Sequence, residues 1–255
     1  MRLLLFLFLI FLFSCASQPT DVDRYAHISD QKVVNLLKKC FDTQGGLEAW
    51  ENKEELHYEK YTKLLLKSGE VEKETYQQHD YYYGDNQSIN ITATNTAGQA
   101  EKIVQTNGKV TKYLDGEVDE SVDQKALNTS MTTTLFVVNV PFKLMDKGVV
   151  LSYEGKDELE DGQKVEVIKA VYDPTKNANH NKSDVWWYYF AETDTRMVAY
   201  LIQHDGRYSY IKNLSYIEAD GFLFPKERGS YRTNAEREIL FTRAEYAYKN
   251  WSVVQ

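Results

Sequence analysis

Five turn dipeptides constrain this chain most: Asn107-Gly108, Asp115-Gly116, Asp161-Gly162, Asp205-Gly206 and Asp220-Gly221, each set among stretches that alternate apolar and polar residues. Such pairs accept positive φ at the centre of a two-residue turn, the geometry that matches the natural twist of two flanking strands. A chain punctuated in this way predicts antiparallel strands in meander order. The clearest span 109–114, 149–153, 164–172, 185–191, 196–204, 207–218 and 236–250. Earlier, Leu56, Tyr58, Thr62, Leu64 and Leu66 fall on one side of a further strand.

Two strands break the simple alternation. Val185-Trp186-Trp187-Tyr188-Tyr189-Phe190-Ala191 and Met197-Val198-Ala199-Tyr200-Leu201-Ile202 are apolar on both faces, so something must cover the side that water would otherwise wet. The expected cover is a helix capped by Ser29 and running to about Asp42, together with 121–145, which interrupts the hairpin series. That helix carries Val33, Leu36, Leu37, Cys40 and Phe41 at the spacing of one buried face, which makes Cys40 a core thiol rather than a nucleophile. It stops at Gly45-Gly46, and Leu47 and Trp50 of a short turn after it point back to the core. The fold class is therefore mainly β with helices (α+β): a strongly curved antiparallel sheet, or incomplete barrel, with helices covering its concave face.

Chemistry-bearing patterns are sparse. The five histidines have no pair at metal-ligand spacing, and neither a serine-hydrolase elbow nor a phosphate loop occurs. Glu70, Glu72 and Glu74 alternate along a strand and read as a solvated face. In the loop 173–184, Asn177, Asn179 and Asn181 offer oxygen ligands, but Lys182 stands where a calcium loop needs glycine and Tyr188 where it needs a closing glutamate. That loop, Asn177 to Asp184 included, is read as a polar hairpin. No enzyme activity, cofactor or metal is expected. A formal net charge of −8 disfavours nucleic acid as a partner. The nineteen tyrosines, eleven phenylalanines and four tryptophans suit cross-strand packing, and some are expected to line a concave apolar pocket. The candidates for such a hydrophobic site are Tyr58, Phe142, Trp187, Tyr189 and Tyr200.

The N-terminus supplies an address. Met1-Arg2, an apolar run Leu3 to Phe13 too short to cross a bilayer, and Ser14-Cys15 make an export signal. Leu12-Phe13-Ser14-Cys15 resembles the lipobox of bacterial lipoproteins, which implies lipidation at Cys15. The expected organisation is a signal over 1–14, a polar tether over 15–27, and a single β domain over 28–255. Further on, Gln44-Gly45-Gly46-Leu47-Glu48-Ala49-Trp50, the stretch Val140-Pro141-Phe142-Lys143-Leu144-Met145-Asp146-Lys147-Gly148-Val149, and Tyr153-Glu154-Gly155 with Asp161-Gly162 resemble an uncharacterised lipoprotein family of Bacteroidetes. That family is similar in layout to the LolA, LolB and LppX lipoprotein carriers. The resemblance implies a half-barrel plugged by helices whose cavity holds acyl chains, and it supplies no catalytic residues. Two functions are thus expected as alternatives. One is a non-enzymatic protein of the cell envelope, lipid-anchored at the outer membrane with its face unassigned, that binds an acyl chain, a lipoprotein or another hydrophobic ligand. The other is a docking module for an envelope protein partner, with its interior filled by side chains.

Overall fold

The computed structural model describes residues 24–85, 87–173, 175–176 and 184–255; the export signal, Cys15 and most of the tether lie outside them, as do 177–183 of the polar loop. One antiparallel sheet contains thirteen strands: β1 (Glu55–Leu65), β2 (Val71–Tyr82), β3 (Ser88–Thr94), β4 (Ala100–Thr106), β5 (Lys109–Leu114), β6 (Glu117–Val118), β7 (Val149–Glu158), β8 (Lys164–Tyr172), β9 (Val185–Ala191), β10 (Met197–His204), β11 (Arg207–Ala219), β12 (Phe222–Thr233) and β13 (Ile239–Val254). Their order is β6-β5-β4-β3-β2-β1-β13-β12-β11-β10-β9-β8-β7. The first and last strands therefore pair at the centre, and β6 and β7 form the two open edges. The sheet curves without closing, so the chain must return from the β6 edge to the β7 edge. That return crosses the concave face as α3 (Gln124–Asn139) and a 3₁₀ turn, Phe142–Met145.

Four of the five turn dipeptides behave as expected. Both residues of Asn107-Gly108, Asp115-Gly116, Asp205-Gly206 and Asp220-Gly221 have positive φ, from 48° at Asp220 to 90° at Gly116. At Asp161-Gly162 only the glycine is left-handed, and the loop is longer, closed by hydrogen bonds from Leu159 N to Gln163 O and from Gly162 N to Leu159 O. This hairpin folds over the convex face instead of extending the sheet. Lys212 on β11 meets Asp161 at 2.7 Å, and Asp157 meets Arg237 of the β12–β13 turn at 2.9 Å.

That folding corrects the expected source of cover. Helices bury only the concave sides of β9 and β10. Their convex side packs in a second apolar cluster of Leu159, Val165, Val167, Tyr189, Val198, Leu201 and Tyr210, sealed by the sheet's own hairpins. The concave cluster is larger and includes α1 (Gln31–Thr43) and α2 (Leu47–Asn52). Val33, Leu36, Leu37, Cys40 and Phe41 are all buried, as their spacing requires. The cap of α1 is Asp30 rather than Ser29: Asp30 Oδ1 accepts from Lys32 N at 2.9 Å, while its Oδ2 accepts from Tyr153 N of β7 at 3.1 Å. One carboxylate thus starts the helix and fixes it to the sheet.

Candidate functional site

The site is built from the concave faces of β1 and β9–β13 below α3. Cross-strand partners share a face, so Tyr58 stands beside His79, Tyr200 beside Tyr188 and Ile211, and Trp186 beside Ile202. In β13 the alternation is reset by Asn250, whose φ of 55° marks a bulge opposite the register shift between His57 and Glu59. Tyr246 and Tyr248 before the bulge and Trp251 after it consequently face the same cavity.

One end of the concave side is plugged. Phe142 stacks between Phe41 at 5.2 Å and Trp50 at 4.7 Å, and Phe224 lies on Trp251 at 4.1 Å. Gly45 lets the chain leave α1 against this plug: its φ is 109°, and a Cβ there would lie 2.4 Å from Phe222. Beyond the plug α3 stands off the sheet and leaves a cavity of about 840 Å³. Such a volume lies within the range of roughly 300–1,000 Å³ typical of small-molecule sites. Asp123 caps α3 by accepting from Lys125 N and Ala126 N at 2.9 and 3.2 Å. The wall that α3 presents is rich in threonine, yet the hydroxyls of Thr129 and Thr133 donate to the carbonyls of Lys125 and Thr129 on their own helix, both at 2.9 Å. Much of that wall's donor capacity is therefore spent internally. Trp186, Tyr200, Ile202 and Ile211 give the opposite side an apolar portion, next to which stand Lys60 and Arg228.

The five candidates from the sequence separate by strand phase. Tyr58 and Tyr200 line the cavity. Phe142 belongs to the plug and borders only a void of about 20 Å³, roughly one water's worth of space. Trp187 and Tyr189 are neighbours of Trp186 and Tyr188 in β9, so they point to the convex face and pack in the second cluster. Because β9 is apolar on both faces, its composition could not say which side was concave; register to β10 does. Sequence reasoning passed over Arg228, Lys60 and the α3 threonines. The one available signal was the position of Lys60 and Arg228 in phase with apolar residues of the same strands.

The buried His79 and Cys40 side chains are held neutral. His79 is 1% exposed, and burial, reinforced by the Lys60 charge, pushes its pKa down to about 3. Its Nδ1 lies 3.1 Å from the Tyr58 hydroxyl, which also meets the Tyr81 hydroxyl at 3.0 Å. Burial raises the Cys40 thiol far above its ordinary range, in keeping with a core residue. Among the described residues no cluster of three or more His, Cys, Asp or Glu side chains could hold a metal ion.

No protein-family model matches this chain, and no curated protein matches its sequence. Solved structures do. A DUF1329 family protein from Desulfovibrio piger superposes with a TM-score of 0.57 at 10% identity, covering 81% of this chain and 88% of its own. A LolA superfamily protein from Nitrosomonas europaea gives 0.52 at 8% identity, with 85% and 91% covered. A Vibrio parahaemolyticus domain assigned to outer membrane lipoprotein sorting gives 0.50 at 8% identity, with 86% and 91% covered. The chain therefore has a LolA-like fold.

Proposed function

We propose that this chain is a non-enzymatic lipoprotein of the cell envelope whose cavity binds an acyl chain or a similar hydrophobic ligand. In this reading residues 1–14 are removed, Cys15 carries the lipid at the outer membrane, 15–27 form the tether, and 28–255 fold as one unit. The observation that carries the proposal is the space of about 840 Å³ between α3 and the aromatic floor of the sheet. A docking module would have no use for an unfilled interior of that size, since buried apolar surface facing a void forfeits packing contacts. The LolA-like fold supports the same reading, because a structural neighbour is assigned to lipoprotein sorting. Tyr58 and Tyr200 are the proposed contacts among the residues singled out in the sequence.

Lipid extraction from the mature chain purified as Cys15→Ser tests the proposal. Mass spectrometry is expected to find an acyl-bearing molecule in near-stoichiometric amount, and Ile211→Trp, which fills the cavity, to lower that amount several-fold. An empty wild-type protein that also takes up no added lipid would sink the proposal. Cys15→Ser should itself leave the precursor uncleaved or the domain released; processing and membrane attachment as in the wild type would remove the anchor from this reading.

A further inference from the structure

The cavity is polarised from side to side. Strand order places β9, β10 and β11 on one side of it and β12, β13 and β1 on the other. The first side carries Trp186, Tyr200, Ile202 and Ile211 together with Asp184, His204 and Ser209; the second carries the cations Arg228 and Lys60 among the aromatic rings of Tyr246, Tyr248 and Trp251. Arg228 is 3% exposed. Its Nε donates to Asn213 Oδ1 at 2.7 Å and its Nη1 to the Val137 carbonyl at 3.4 Å, and its guanidinium lies 5.6 Å from the centre of the Tyr248 ring. No carboxylate pairs with it among the described residues. A charge so far from water is ordinarily matched by an opposite one. The Val137 carbonyl, in the last turn of α3, supplies only a helix terminus, worth about half a charge shared over several carbonyls.

Lys60, half-buried rather than buried, stands on the other flank of β13. Its ammonium lies 5.1 Å from the Tyr246 ring centre, and it too makes no ion pair among the described residues. The two cations cross. Arg228 is the cross-strand partner of Tyr246 and leans over Tyr248, whereas Lys60 is the partner of Tyr248 and leans over Tyr246. Ring faces hold cations in place without neutralising them. Among the described residues the only carboxylate in the lining is Asp184, and it already meets His204 Nδ1 at 2.6 Å. Trp251 adds a buried indole N–H that has no hydrogen-bond partner. An acidic protein has thus placed cations without a carboxylate partner among the described residues beside the aromatic rings of this cavity.

We propose that the cavity selects an amphiphile by its anionic head, a carboxylate or phosphate seated between Arg228 and Lys60 with its chain against Tyr200, Ile202 and Ile211. This deepens the ligand-binding reading and rests on it. The head would supply the counter-charge that the fold withholds, through charge-assisted hydrogen bonds from the guanidinium and ammonium.

Calorimetric titration of the delipidated full mature chain, as Cys15→Ser, with palmitate, palmitoyl lysophosphatidate and hexadecanol tests this. At least one anion is expected to bind about tenfold or more tightly than the alcohol. Which of the two binds better separates a fatty acid from a phospholipid source. Arg228→Met should bring the ratio of anion to alcohol affinity to about one, and Lys60→Met should lower it; if Arg228→Met does not fold, Lys60→Met and the wild-type ratio decide. Equal binding of all three probes by the wild type overturns the headgroup assignment and leaves the cavity reading standing. An anion preference that survives both substitutions also overturns it, and no binding of any probe overturns both readings.

Discussion

At the scale of single residues, two histidines on adjacent strands but opposite faces respond to pH with opposite sign. His79 on the concave face is buried with Nε2 unpartnered, and burial lowers its pKa from 6.5 to about 3. Between those values the unfolded chain binds a proton that the folded chain refuses, so stability falls as pH drops below 6.5, by about 1.4 kcal/mol per pH unit. His57 on the convex face differs. Partial burial alone would lower its pKa, but Asp80 and Glu55, each 2.8 Å from a ring nitrogen, raise it overall. Its contribution is fully present below 6.5 and is lost as pH rises through the raised value. His79→Phe, which keeps the stack on Tyr58 and removes the orphaned nitrogen, should flatten the acid limb of urea midpoints measured from pH 4.5 to 7. His57→Gln should be more destabilising at pH 5.5 than at pH 8.5. An unchanged acid limb in His79→Phe would move the acid sensitivity to other groups. The aromatic-rich composition announced a packed interior, but a histidine at an inward phase among tyrosines could be seen as neutral and buried only once β1 and β2 were in register.

At the scale of elements, legibility in the sequence followed the strength of local backbone signals. The four two-residue turns were legible because positive φ at Asn-Gly and Asp-Gly is a property of the dipeptide itself. β12 was not, since Pro225 argues against a central strand. The ladder resolves the conflict: β12 pairs with β13 only over Glu227–Thr233, so Pro225 opposes Tyr216 of β11 alone and no donor is missed on its other side. Trp251 was likewise out of phase with Tyr246 and Tyr248 until the bulge at Asn250 is taken into account. The site suffered more than the fold, because a strand apolar on both faces, such as β9, hides which face is concave. The α1 cap was missed by one residue for a tertiary reason, since Asp30 also receives the Tyr153 N–H of β7. That backbone hydrogen bond is the main cause of the lowered Asp30 pKa. Asp30→Ala should lower the midpoint of chemical denaturation, whereas Asp30→Asn, which keeps one acceptor oxygen and so one of the two bonds, should lower it less. Both costs should shrink as pH falls below about 4, because the stabilisation lost is that of the wild-type carboxylate. An Asp30→Asn variant as stable as the wild type at pH 7 would show that the carboxylate charge does not contribute.

At the scale of the whole molecule, the two ends of the sheet-forming chain meet in the middle. Hairpins β2–β6 and β7–β12 can each assemble from neighbours in sequence, but β1 finds β13 only after nearly all the chain between them has been laid out. Contacts of such long separation form late and slowly. The same arrangement creates the cavity, for it puts the chain's crossing from β6 to β7 over the concave face and forces α3 to span it. Sensitivity to strand disruption should therefore depend on position in the sheet rather than on position in the sequence. Ala244 is 1% exposed in β13 and opposes both Leu64 of β1 and Ser230 of β12. Proline there cannot donate, its ring meets packed neighbours on both sides, and the loss should reach about 3 kcal/mol or more. Val118 lies in the edge strand β6, 54% exposed and paired only with Tyr113. Val118→Pro should change stability by no more than about 0.5 kcal/mol. Thermal melts of the two variants, with hexadecanol uptake as a readout of the cavity, separate centre from edge: Ala244→Pro should lose both the cooperative transition and uptake, and Val118→Pro neither. A folded, ligand-competent Ala244→Pro would mean that the β1–β13 seam does not hold the two halves of the sheet together.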